Sequence, residues 1–445
     1  VRPHKNSINN YYYPENPEAG IDLFLEKLVQ ETEKEHEDIL EQADETDAMF
    51  GELYSWYLRN PEYRSRVQKL VQSAFAGKPE DIISQSVAKA LYGEVSPYSA
   101  TRLERFAACA FAHFLQYGMK LTERVEYEFK PMDMGNVMHE ALESFAEEVR
   151  KRGMKWTELT EQERNEIADR CLDNIVADYG NTVLKSSARN EYMIERTRRI
   201  LRRTVWALQK QLEQGEFQPE GFEVTFGGGR IDRVDIMEDQ NKVYVKVIDY
   251  KTGNTSFDLV YLYHGLQLQL MIYLDGALRV EQKKYPDKEI IPAGVFYYNI
   301  KDPMIQEKID ADVEAVSAGL MKELKMNGLA QADPELVYRM DSSLGSIPVA
   351  FNKDGSFRKN SSVADRTQFA VLGRYVRTKI EKIRSSILEG DAEVSPYELG
   401  KKNACTYCPY MTVCGFDRRL SGYEFRRLKN FSDEELWKAF DREAE

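Results

Sequence analysis

Between residues 221 and 300 the chain carries a pattern that few folds can accommodate. Three short segments, "GFEVTF", "RIDRVDIM" and "KVYVKVIDY", alternate apolar and polar positions. That is the period-two signature of strands with two distinct faces. Turn residues separate them, Gly227-Gly228-Gly229 and then Glu238 to Asn241, so an antiparallel meander is expected. A long helical pattern, "LVYLYHGLQLQLMIYLDGAL", follows, and "IIPAGVFYYNI" returns as a strand. The strand–helix–strand step implies one parallel pair. Upstream, "DMGNVMHEALESFAEEVRK" is an amphipathic helix with Val137, Leu142 and Phe145 in its apolar set. The expected fold is α/β, a mixed sheet flanked by helices, with large helical additions.

The third segment ends unusually. In "VIDYKTG", residues 247–253, Asp249 and Lys251 fall on the face of Val243, Val245 and Val247. A strand end fraying into a turn at Thr252-Gly253-Asn254 is the plain explanation. The neighbouring "GRIDRVD" supplies two more acids, Asp232 and Asp235. Hard divalent cations such as Mg2+ take carboxylate oxygens and keep several waters, so one carboxylate from each adjacent strand suffices. A lysine two residues past the second carboxylate can orient or deprotonate a water, or hold a phosphate oxygen. Asp232, Asp249 and Lys251 thus have the layout that metal-assisted phosphodiester hydrolysis requires. Asp235 points away from Asp232 and is expected to be a surface or structural acid.

At 445 residues the chain has room for two or three domains. No stretch approaches the roughly 20 apolar residues of a membrane span. No signal-peptide pattern follows the first residue, Val1, so the expectation is a cytoplasmic chain, and a piece of something longer. A net charge of −13 argues against indiscriminate nucleic-acid binding but allows a local basic groove. Residues 1–95 read as a separate helical region with a heavily acidic face. "GEVSPYSATRLERFAACAFAHFL" opens a new unit, with Thr101 and Glu104 spaced as a capping box. Two basic clusters could meet a polyanion: "RTRRILRR" at 196–203, and "RRLSGYEFRRLK" at 418–429 with Tyr423 and Phe425 as stacking faces.

With its helix–strand–strand–strand–helix–strand order, the set Asp232, Asp249 and Lys251 resembles the PD-(D/E)xK, restriction-endonuclease-like nuclease core. Ile231 stands where the family name has proline. Gly135-x3-His139, Gly229-Arg230-Ile231-Asp232, Asp249-Tyr250-Lys251 and Gln269-x3-Tyr273 are similar, in that order, to the RecB-type branch. The resemblance implies Asp232, Asp249, Lys251, Gln269 and Tyr273 as catalytic residues. It implies Mg2+ or Mn2+ held by His139, Asp232, Asp249 and the Tyr250 carbonyl. Alone, His139 could as well be a core histidine. Gln269 and Tyr273, four apart on a helix, share one face.

Cys405, Cys408 and Cys414 form C-x2-C-x5-C, which reads as metal ligands rather than disulfide partners and needs a fourth ligand. Cys109 lies upstream of the core, as the triplet lies downstream. This layout resembles the iron–sulfur RecB-type nucleases and implies a [4Fe–4S] cluster on Cys109, Cys405, Cys408 and Cys414, closing the two ends like a clasp. The family's Cys-Pro-Phe is Cys109-Ala110-Phe111 here, and zinc is the alternative metal. Cys171 reads as a buried thiol. Residues 96–430, including "YSATRLERF" and "VIDYKTGNTSFDL", are similar to the AddB components of bacterial AddAB-type helicase–nucleases and their RexB relatives. Residues 1–95 would then be the remnant of a helicase-like region and 431–445 a helical tail. The resemblance implies exonuclease action on single-stranded DNA from unwound duplex ends, on the 5′-terminated strand, in double-strand-break repair with an AddA-type partner. A CRISPR-associated-type iron–sulfur nuclease and an inactive DNA- and helicase-binding scaffold are the competing readings. No G-x4-G-K-[ST] occurs. The family carries a longer stretch where this chain has Gly227 to Gly229.

Overall fold

The computed structural model describes residues 45–74, 82–93, 98–122, 131–178, 187–227, 229–305, 312–419 and 422–444. They fall into two compact units. One takes the described residues of 1–83, 109–112 and 391–427; the other takes those of 84–108, 113–390 and 428–445. The acidic helical pattern expected from residue 21 onward lies outside the described residues as far as 44; from there helices Glu45–Arg59 and Pro61–Ala74 pack around Leu53, Tyr57 and Val67. The same unit holds a three-stranded sheet of Tyr397–Leu399, Lys402–Asn403 and Arg426–Arg427.

The larger unit is built on a six-stranded mixed sheet. In chain order its main elements are α1 (Ala100–Ala108), α2 (Pro131–Lys151), α3 (Glu161–Asp178), α4 (Ala188–Glu213), β1 (Gln218–Phe226), β2 (Gly229–Asp239), β3 (Lys242–Lys251), α5 (Gln269–Lys284), β4 (Glu289–Asn299), β5 (Asn327–Gln331), β6 (Val363–Ala364) and α6 (Arg366–Glu389). The sheet order follows the chain, β1 to β6. β1–β2–β3 form the expected antiparallel meander, and β3 pairs with β4 in parallel across α5. β5 and β6 extend the sheet beyond the four strands read from the sequence; β5 is five residues with Gly328 near its start, too short and too small-residued for a strand pattern.

Both faces of the sheet are covered. Ile248, Tyr250, Met237 and Phe296 pack with Val137, Phe145, Leu172 and Leu208 of α2, α3 and α4 in one core. Val243, Val245 and Val247 point to the other face, where α5 packs on β3 and β4. The long helical pattern at 259–278 is not one helix. It breaks after Leu259–Tyr263, where Gly265 takes a left-handed φ of 79°, and restarts at Gln269. Glycine's freedom at that φ decides the outcome over the continuous apolar periodicity. α6 begins with a true capping box, Asp365 with Gln368. The C-terminal helix Asp433–Ala444 packs on α6. Among the described residues no helix is long and apolar enough to cross a membrane.

Candidate active site

The register of the meander lines up acids on neighbouring strands. Phe226 pairs with Gly229 and Val224 with Ile231; one step further, Glu223 faces Asp232. Arg233 pairs with Ile248; one step back, Asp232 faces Asp249. Asp249 itself is opposite Tyr297 of β4. Three carboxylates on three adjacent strands therefore stand in one row across the sheet.

Helix α2 brings His139 to this row. Gly135, one turn earlier, lies against Thr252, since a Cβ there would stand 3.5 Å from the threonine Oγ1. His139 Nδ1 is 3.4 Å from Asp232 Oδ2 and 3.7 Å from Glu223 Oε1. His139, Glu223 and Asp232 form a group whose ligand atoms lie mutually within 4.8 Å, the spacing a single metal ion needs. Burial alone would lower the imidazole, but hydrogen bonds to Asp232 and Glu223 carry its pKa up to about 10. Asp232 Oδ2 also accepts the Tyr250 N–H at 2.7 Å, which fixes the carboxylate to the strand end.

Asp249 is 1% exposed. Burial, and then the Asp232 carboxylate, push its pKa up to about 7 against the pull of Lys251. Lys251 Nζ stands 2.5 Å from Asp249 Oδ2 and donates to Gln269 Oε1 at 2.8 Å. The Gln269 amide donates to Asp249 Oδ1 at 2.8 Å and to the Tyr273 hydroxyl at 2.9 Å. Asp249, Lys251, Gln269 and Tyr273 are thus one hydrogen-bonded chain. The unpaired first turn of α5 is completed from another element. Glu104 of α1 accepts from the N–H groups of Leu268 and Gln269 at 2.7 and 2.9 Å.

Two of these residues escaped sequence reasoning. Glu104 was expected to cap its own helix with Thr101. Instead Ser99 Oγ accepts from Arg102 N at 3.3 Å at the start of α1, and Glu104 is free to cap α5. Glu223 reads as the polar position of an alternating strand. In the structure it has a left-handed φ of 49°, a strained backbone for a residue with a Cβ, and it also pairs with Arg230. A hairpin register counted outward from the glycine turn would have placed it opposite Asp232.

Asp235 lies on the opposite face from Asp232, as expected, and of the two readings, surface or structural, it is the buried structural acid. Arg233 and Lys246 surround it there. Cys171 is buried in the core of the helical face. Within the basic cluster of α4, Arg198 pairs with Asp173, Arg199 with Asp302 and Arg202 with Asp169. Tyr423 is buried beside Phe416, so it offers no face for stacking.

Cys109, Cys405, Cys408 and Cys414 all belong to the smaller unit, although the chain around Cys109 lies in the larger one. All four are free thiols. Burial, and then the proximity of Cys109, Cys408 and Cys414, raise the Cys405 thiol to about 11. Burial likewise raises Cys109. Four thiols near enough to disfavour one another's thiolates are a donor set that a multivalent cationic centre would satisfy. The chemistry of the set fits an iron–sulfur cluster, and the row of acids with His139 fits a hard divalent cation.

A mixed sheet with a strand-end Asp-x-Lys, a facing aspartate and a helical histidine defines a metal-dependent nuclease core. Residues 97–415 match the PD-(D/E)XK nuclease superfamily, and the chain belongs to that superfamily. It is 41% identical over 425 residues to the B component of the ATP-dependent helicase/deoxyribonuclease of Lachnoclostridium phytofermentans, covering 90% of this chain and 36% of that protein. The proteins of the same name from Thermoanaerobacter sp. and Clostridium acetobutylicum are each 33% identical over 90% of this chain, covering 37% and 36% of their own lengths. The chain spans little more than a third of the curated relatives it matches.

Proposed function

We propose that this chain is the nuclease-bearing part of a helicase–deoxyribonuclease subunit, hydrolysing the 5′-terminated strand of unwound DNA in double-strand-break repair. The observation that carries the reading is the row Glu223–Asp232–Asp249 with Lys251 on the same face. It gathers carboxylate oxygens from neighbouring strands, with the His139 ring beside two of them, in the arrangement a hard divalent cation takes as ligands. His139, Asp232, Asp249 and the Tyr250 carbonyl would hold Mg2+ or Mn2+. When bound, the ion supplies Lewis acidity at the phosphoryl oxygen and acidifies a water.

The other residues position and neutralise. Lys251, fixed between Asp249 and Gln269, is aimed to donate to the attacking water or to a non-bridging oxygen as charge develops there. Gln269 holds Asp249 and Lys251 in register, and Tyr273 anchors the same amide. Glu104 fixes the helix end from which Gln269 projects. Glu223 turns His139 toward Asp232 and is itself balanced by Arg230. The thiols of Cys109, Cys405, Cys408 and Cys414 would hold a [4Fe–4S] cluster, whose role is to fasten distant parts of the chain. Relatives named as helicase subunits support a partner of AddA type that delivers the unwound strand.

The test uses single strands labelled at the 5′ or the 3′ end, in Mg2+ and in chelator. Mg2+-dependent digestion that begins at the 5′ end is expected, with Asp249→Ala slower by on the order of a thousandfold. Near-parental cutting by Asp249→Ala would reassign the site, and release of the 3′ label first would reverse the polarity.

A further inference from the structure

The face of α5 that carries Gln269 and Tyr273 does not stop at the site. Steps of three and four residues continue it through Gly276 and Val280 to Lys283, about 15 Å along the helix from Tyr273. There it lines a cavity of about 530 Å³ whose far wall is α6, with Gly373, Val376 and Arg377. Phe226 closes one end and meets the Tyr273 ring edge-on at 5.9 Å. A second hollow of about 360 Å³ runs on between the same helices and shares Met271, Asp275, Gly373 and Arg377 with the first. The two make one groove that begins a single aromatic ring away from the Lys251–Gln269–Tyr273 chain.

Its walls are cationic in a chain of net charge −13. Arg279, Lys283, Arg366, Arg374 and Arg377 line it against one acid, Asp275. Asp275 ties the walls together, accepting from Arg377 at 2.8 Å and pairing with Arg279 at 2.7 Å. Lys283 and Arg374 are exposed, and neither has an ion-pair partner among the described residues.

Two glycines in the groove behave differently. Gly276 is required by packing, because a Cβ there would stand 2.7 Å from Phe226. Gly373 is not: it sits inside a 24-residue helix, and a Cβ would meet nothing nearer than Arg377 Nη1 at 3.9 Å. Glycine is unfavourable in a helix interior. Without a packed neighbour, Gly373 leaves the helix backbone open to the groove.

We propose that the groove between α5 and α6 is a track for single-stranded DNA, with phosphates on Lys283, Arg374 and their neighbours and a nucleotide seated over Gly373. The apolar floor of Phe226 and Met271 suits unstacked bases, which a duplex would not present. The proposal rests on the nuclease reading of the adjoining site and extends it to the substrate's path.

The test compares hydrolysis of a thymidine oligonucleotide with that of thymidine dinucleotide, by the full-length protein in Mg2+. The ratio of the two kcat/KM values reports contacts beyond the scissile phosphate. In Lys283→Ala/Arg374→Ala this ratio falls about tenfold, and the salt slope for the oligonucleotide drops by about 1.4, two contacts at roughly 0.7 each. Lys353→Ala/Lys359→Ala removes the same charge from an exposed loop and leaves the ratio unchanged. Gly373→Leu lowers the ratio similarly without lowering the thermal midpoint, which separates a blocked groove from a damaged fold. An unchanged ratio in both groove variants overturns the track and leaves the groove to an acidic peptide. If the parent cuts neither substrate, or Asp249→Ala cuts both at the parental rate, the nuclease reading itself has failed.

Discussion

Strands β2 and β3 bury two sets of charges, one on each face of the sheet. Toward α2, α3 and α4 lie Arg233, Asp235 and Lys246. Arg233 donates to both Asp235 oxygens at 2.6 and 2.9 Å, and Lys246 reaches one of them at 3.0 Å. Burial would raise that carboxyl, but Arg233 and Lys246 hold it below the usual carboxylate range. On the other face Asp249 pairs with Lys251, Asp232 and Glu223 with His139, and Glu223 also with Arg230 at the edge. There burial and a like charge win, and Asp249 rises to about 7. The two faces thus carry one set that closes on a single, fully buried carboxylate and one in which three carboxylates crowd together at a partly exposed edge. The first is a structural lock; the second has the donor set proposed to take a cation.

Breaking the lock should have the largest effect on folding. Asp235→Asn leaves two cations buried around a neutral amide and is expected to cost about 3–5 kcal/mol in urea unfolding. Asp249→Asn, which removes a buried carboxyl crowded by Asp232, should leave metal-free stability unchanged or higher. Equal losses from the two substitutions would erase the distinction between the faces.

The cysteines extend the comparison, because they too are like groups gathered together. Cys109→Ser should yield protein without the parent's roughly four irons per chain and with a clearly lower thermal midpoint. Cys171→Ser, on a buried thiol of the helical core, should keep its iron and cost less than about 1 kcal/mol. A colourless parent containing one zinc would replace the cluster with a zinc site on the same four residues.

A smaller effect separates the faces by sign. Metal-free, Asp249 titrates at about 7 in the folded chain and at about 3.9 when unfolded. The folded state therefore holds its proton more tightly, and this contribution to stability is full below about pH 4 and lost as pH rises through 7. Asp235, lowered in the fold, contributes above about pH 4 and loses that as pH falls through its folded value. Asp249→Asn should flatten part of the decline between about pH 4 and 7 in thermal scans. Glu104, also raised to about 7, keeps the remainder. An unaltered pH profile in Asp249→Asn would mean that this carboxyl is not the one strained by burial.

The contrast also explains what could be read in advance. Asp232, Asp249 and Lys251 were legible because a strand alternates its faces, and charges on an apolar face stand out. Gln269 and Tyr273 stood out only through the resemblance that carries the whole motif order; their four-residue spacing showed no more than a shared helix face. Asp235 was assigned the correct face, and of its two readings the structural one holds, since Arg233 and Lys246 arrive from its own and the neighbouring strand to pair with it in the core. Glu223 looked like an ordinary solvent-side residue, and only the hairpin register, with a left-handed backbone at that position, turns it to the site. Glu104 shows the limit: its spacing fitted a local cap, and its true partner lies more than 160 residues away.

If the row of acids with His139 is a metal site, metal-free protein should take up a divalent cation there in exchange for protons. This is tested most directly by titrating metal-free protein with Mn2+ in a calorimeter, in buffers of different ionisation enthalpy. The account requires saturable binding with proton release near neutral pH, because His139 is protonated to about 10 and Asp249 to about 7 before the ion arrives. His139→Ala should bind more weakly and release fewer protons, and Asp232→Asn/Asp249→Asn should not bind at this site at all. Binding of the same strength and proton count in the double variant would contradict the account.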